Sequence, residues 1–101
     1  MLNISKTRED SKLCVAVEGR LDTTTAPELE ASLKEDLENV TDLVIDLSDL
    51  EYISSAGLRV LLAAQKTMMK QGKMVVAHPN EVISEIFEVT GFSDILTIEN
   101  A

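Results

Sequence analysis

The sequence has no tryptophan, one tyrosine (Tyr52), two phenylalanines (Phe87 and Phe92), one cysteine (Cys14) and one histidine (His78). With so few rings, a core has to be built from Leu, Ile, Val, Ala and Met. A lone cysteine excludes an internal disulfide, and nothing around it has metal-ligand spacing. Cys14 lies in the apolar run 13–17, where it reads as a small buried hydrophobe. No apolar run approaches the roughly 18 residues of a membrane span. The opening Met-Leu-Asn-Ile-Ser-Lys has no signal-peptide pattern, so the cytoplasm is the expected location.

Catalytic signatures are equally scarce. The four glycines, Gly19, Gly57, Gly72 and Gly91, are isolated, so no phosphate-cradling glycine loop is present. Ser-Ser-Ala-Gly at 54–57 is not a Gly-x-Ser-x-Gly nucleophile elbow. His78 has no metal-binding or triad company, and Asp46, Asp49 and Glu51 lack a second cluster to complete a metal site. We expect no enzyme activity, no metal and no cofactor.

What is present is acid and aliphatic bulk. The net charge is −9, and residues 28–51 hold nine acids against one base, Lys34. Such a surface argues against nucleic acid and anionic membrane, and suits solubility or a basic protein partner. At 101 residues and 45% apolar, the chain is expected to fold as one domain over 1–101.

The apolar pattern predicts an order of elements. Leu2 and Ile4, a turn at Glu9-Asp10-Ser11 and the run 13–17 read as a hairpin ended by Gly19. Thr25-Ala26-Pro27-Glu28 has the form of a capping box, opening a helix through Leu29, Leu33 and Leu37 to about Glu38. Leu43-Val44-Ile45 reads as a strand buried on both faces. Ser54 or Ser55 opens a second helix through Leu58, Leu61, Leu62, Gln65 and Met69, with Gly72 as a left-handed stop. Met74 to Ala77 is another interior strand. Pro79-Asn80 starts a third helix bearing Val82, Ile83, Ile86 and Phe87 on one face, closed by Gly91, with Phe92 folding back. Residues 95–98 form a last strand. The order β-β-α-β-α-β-α-β implies an α/β fold with a small mixed sheet, an N-terminal hairpin and single-helix crossovers.

The loops after parallel strands share one edge of such a sheet, where sites usually lie. If the second and third strands are neighbours, Asp22 and Thr23 come close to Ser54 and Ser55. A serine at a helix start caps free N–H groups, and the same groups with the helix dipole can seat a phosphate.

Four segments in order carry a resemblance: Gly19-Arg20-Leu21-Asp22, Leu43-Val44-Ile45-Asp46-Leu47, Ser54-Ser55-Ala56-Gly57-Leu58 and Val89-Thr90-Gly91-Phe92. Together they resemble the STAS domain, specifically the small free-standing bacterial anti-sigma factor antagonists. The resemblance implies a protein that binds an anti-sigma factor, itself a serine kinase of the GHKL type, and so frees the sigma factor. Phosphorylation by that kinase ends the interaction until a serine phosphatase reverses it. Aligned on Gly57-Leu58, the acceptor is Ser55; Ser54 stands where the motif has Asp, and Ala56 where it has a second hydroxyl. The unmodified Ser55 hydroxyl is expected to cap the second helix. The expected partner surface is Asp22, Thr23, Ser54, Ser55, Gly57 and Arg59, with Arg59 pairing an acid of the kinase, pairing Asp22 when the partner is absent, or standing as a plain surface arginine. The alternative is a STAS subunit of a lipid-transport or signalling complex in which Ser55 is never modified.

Overall fold

The computed structural model describes residues 2–99. Strands β1 (Leu2–Glu9) and β2 (Lys12–Leu21) form the expected antiparallel hairpin, with Asp10 in the left-handed turn conformation. Helix α1 covers Ala26–Asp36, β3 Asp42–Asp46, β4 Leu50–Ile53, α2 Ser55–Met69, β5 Lys73–Ala77, α3 Glu81–Thr90 and β6 Ile98–Glu99. A single 3-10 turn at Phe92–Asp94 follows α3. The sheet runs β1-β2-β3-β5-β6, parallel from β2 onward. This is the mixed α/β fold that the pattern implies, with one strand added.

That strand is β4. It pairs in parallel with the second half of β2, Gly19 to Leu21, while β3 pairs with the first half. The two short strands thus run in tandem along one edge of β2. Gly19 does not end β2: it adopts φ 103° at a register shift, and the strand continues to Leu21. Such a bulge needs a residue without Cβ.

The helices cover only one face of the sheet. Leu13, Val15 and Val17 of β2, Leu43 and Ile45 of β3, and Met74 and Val76 of β5 are buried, whereas Cys14, Val44 and Val75 between them are only half-buried. The interior strands are therefore not buried on both faces. Strict alternation is what a sheet with one covered face requires. Helix α1 contributes Ala26, Leu29 and Leu33, and it stops at Asp36 with Leu37 as the cap, short of Glu38. Helix α2 buries Leu58, Val60, Leu61, Ala64 and Met68, leaving Leu62 half-buried and Met69 exposed.

Two glycine expectations divide. Gly91 closes α3 in the left-handed conformation, φ 81°, and half-buried Phe92 packs against the core behind it. Gly72 is not left-handed. A Cβ there would lie 1.9 Å from the Thr41 carbonyl oxygen, so close approach between two chain segments demands the glycine. At the other end of α3, Asn80 does what its type suggests: Oδ1 accepts from Ile83 N–H at 2.9 Å. Its Nδ2 also donates to the Leu50 carbonyl at 2.6 Å, tying α3 to β4. Ile83 and Phe87 are buried, but Val82 points away from the core. The last strand is confined to Ile98–Glu99, with buried Leu96 as an anchor before it.

Candidate functional site

The exit of β2, the exit of β4 and the start of α2 meet at one edge. Leu21 pairs with Ile53, and Ser54 N–H donates to the Leu21 carbonyl at 2.9 Å. The expected proximity of Asp22 and Thr23 to Ser54 and Ser55 is therefore made by β4 rather than by β3.

On the first loop, Asp22 organises its own turn. Its Oδ1 accepts from the Thr24 hydroxyl at 2.7 Å, from Thr24 N–H at 3.0 Å and from Thr25 N–H at 3.1 Å. The Thr24 hydroxyl, with these backbone donors, holds the Asp22 carboxyl below its ordinary range, against the smaller opposing pull of desolvation. Buried Thr25 precedes α1, but it is not a capping-box hydroxyl. It donates to the Arg20 carbonyl and accepts from Asp22 N–H, both at 2.8 Å, so it staples the loop to β2 instead. Thr23 is left exposed at the tip.

On the second loop, the two serines separate. Ser54 is the cap of α2, in extended conformation, with Oγ accepting from Gly57 N–H at 3.4 Å. Ser55 is the first helical residue and is exposed, so the expectation that its hydroxyl caps the helix fails. The cap bond is long, and the first turn holds no acidic residue. Gly57 is buried. A Cβ there would fall 2.7 Å from Leu21 Cγ and 2.8 Å from Ile53 Cγ1, so it sets how closely the helix start approaches the strand ends.

Exposed Arg59 lies one turn beyond Ser55. It shares a shallow cavity of about 200 Å³ with Thr23 and Ala56. Arg59 forms no ion pair with Asp22 among the described residues. On the other flank of Ser55 lies a larger groove of about 490 Å³ between the start of α2 and α3. Sequence reasoning missed that flank. The only signal for it was Val82 and Val89, apolar residues that the core does not need.

Residues 3–101 match the family model of the STAS domain. The chain belongs to the STAS domain family. It is 33% identical to the anti-sigma-B factor antagonist of Listeria monocytogenes, over 98% of this chain and 91% of that protein. The corresponding protein of Bacillus subtilis is 31% identical, over 96% of this chain and 90% of its own length. The crystal structure of an anti-sigma factor antagonist from Mycobacterium paratuberculosis superposes with a TM-score of 0.91 at 25% identity, covering 100% of this STAS chain and 87% of the other. No helix among the described residues is long and apolar enough to cross a membrane.

Proposed function

We propose that this STAS protein is an anti-sigma factor antagonist and that Ser55 is its phosphoacceptor. In the unmodified state it binds an anti-sigma factor that is also a GHKL-type serine kinase, and so releases a sigma factor. Phosphorylation of Ser55 by that kinase ends binding, and a serine phosphatase restores it. The observation that carries the reading is the exposed Ser55 hydroxyl at the first helical position, beside a separate residue that already caps the helix. An acceptor that is not needed as a cap can be modified without unseating α2.

The electrostatics fit a switch that spares the fold. A phosphate adds about −1.5 to −2 charges. The positive end of the α2 dipole, with no acid in its first turn, tolerates that charge. A docked partner has to desolvate it, next to Asp22 and within a chain of net charge −9. The partner-facing residues of this reading are Asp22, Thr23, Ser54, Ser55 and Arg59, with buried Gly57 acting through the position of the helix start.

The test is mass spectrometry after incubation with the candidate kinase and ATP, with titration calorimetry on variants. Phosphate is expected on Ser55, and Ser55→Asp is expected to weaken binding while Ser55→Ala binds like wild type. Phosphate on Ser54 alone, or tight binding by folded Ser55→Asp, refutes the switch. A second reading, a STAS subunit of a lipid-transport or signalling complex, draws on one observation. Ser54 replaces the acid that precedes the acceptor in the family motif, and an antagonist that no kinase modifies even with its cognate partner present would favour it.

A further inference from the structure

The groove between the start of α2 and α3 has an apolar floor that includes two valines the core does not bury. Val82 is 54% exposed and Val89 81% exposed, and both line it together with half-buried Ile86. These residues stand at i, i+4 and i+7 along α3, about 10 Å of helix, or two turns. Ser54, Ser55 and Leu58 form the facing wall, with Tyr52 of β4 at one side. An apolar stripe of this length matches the apolar face of a two- to three-turn helix laid alongside α3.

Charge decides what such a helix must carry. Among the described residues Glu85 is the one acidic or basic side chain lining the groove, and α3 as a whole has Glu81, Glu85 and Glu88 with no base. No Lys or Arg lines the groove among the described residues, and Arg20 behind it is stacked over the Tyr52 ring, 4.6 Å from its centroid. A second copy packed two-fold on the groove would bring the same acidic helix against it, and an anionic lipid would meet Glu85. We propose that this groove receives a basic amphipathic helix of the partner protein, aliphatic residues on Val82, Ile86 and Val89 and a Lys or Arg on Glu85. The wall made by Ser54, Ser55 and Leu58 carries two hydroxyls and no charge, so it faces the side of the helix away from its Lys or Arg. A phosphate on Ser55 places a charge on that wall, which couples the groove to the switch. The inference rests on the antagonist reading for the partner's identity, but not for the chemistry of the groove.

Titration calorimetry with the purified anti-sigma factor separates the two. The double substitution Val82→Gln and Val89→Gln is expected to lower affinity at least tenfold, and Glu85→Lys about three- to tenfold. Glu38→Lys, beyond the far end of α1, serves as the control and is expected to have no effect. Thermal melts establish that each variant is folded; the valines are exposed, and each single variant is measured if the double one is unstable. Wild-type binding with unchanged affinity in the valine variants overturns the groove and leaves the antagonist reading standing. If no anti-sigma factor binds, that reading fails, and the groove is tested alone by fluorescence anisotropy with a labelled 14-residue Leu/Lys amphipathic peptide. Binding by wild type and not by the valine variants upholds it. No binding, or equal binding of a Leu/Glu peptide or of oleate, overturns it.

Discussion

At its C-terminal end α2 is fastened to the connection between α1 and β3. Gln71 Nε2 donates to the carbonyls of Leu37 and Val40 at 2.7 and 2.6 Å, and Gly72 packs against Thr41. At its N-terminal end the same helix is held by the Ser54 N–H bond to the Leu21 carbonyl, by one long side-chain cap bond and by burial of Gly57 and Leu58, while Ser55 and Arg59 face solvent. One end is tied by a side chain that bonds two carbonyls of a distant segment; the other is tied through the backbone of its cap residue and presents a free hydroxyl to whatever approaches. A helix anchored at its far end can accept a modification or a partner at its near end without losing its place on the sheet.

The comparison is broken most directly at the anchored end. Gly72→Ala is expected to cost about 3 kcal/mol or more, because the new Cβ meets backbone that has to move. Urea unfolding measures this, and a loss below about 0.5 kcal/mol, the level of a neutral surface change, would mean that this end is as loose as the other. Gly57→Ala comes next, at about 1–3 kcal/mol, since Leu21 Cγ and Ile53 Cγ1 are not flexible side-chain ends. It is also expected to weaken partner binding through a shifted helix start, measured on the same folded sample.

Smaller effects sharpen the division of labour between the serines. Ser54→Ala is expected to lose about 0.5–1 kcal/mol, the low side of a cap deletion given its long bond. Ser55→Ala is expected to stay within about 0.5 kcal/mol of wild type. Equal losses at the two positions in thermal melts would return the cap to Ser55. The smallest effect is a pH response in the neighbouring loop. The folded Asp22 carboxyl titrates below its ordinary range, so its contribution is complete above the unfolded value and is lost as pH falls through the folded one. The amide resonances of Thr24 and Thr25 are expected to shift with that low midpoint; a midpoint at or above the ordinary carboxylate value would show that the turn is not formed.

Much of this arrangement is legible along the chain. The hairpin, the aliphatic faces of α1 and α2, the Asn80 cap and the Gly91 stop follow from residue type and spacing, because each depends on neighbours within one or two turns. The four motif segments lead to the family and to Ser55 as the residue to watch. The site's second flank is legible only in part, since Val82 and Val89 fit a helix pattern equally well whether they face a core or a groove.

The sequence by itself determined the polar and apolar periods, the helix ends that carry Asn and Gly, and the order of elements save one. Only the tertiary structure decided on β4, which of two adjacent serines caps α2, what Gly72 is for, and that Thr23 and Arg59 share a cavity. Three of the four share one physical reason. A four-residue strand, a close backbone approach and a loop-to-helix contact draw their stability from segments distant in the chain, and no local propensity records which partner edge β2 will offer.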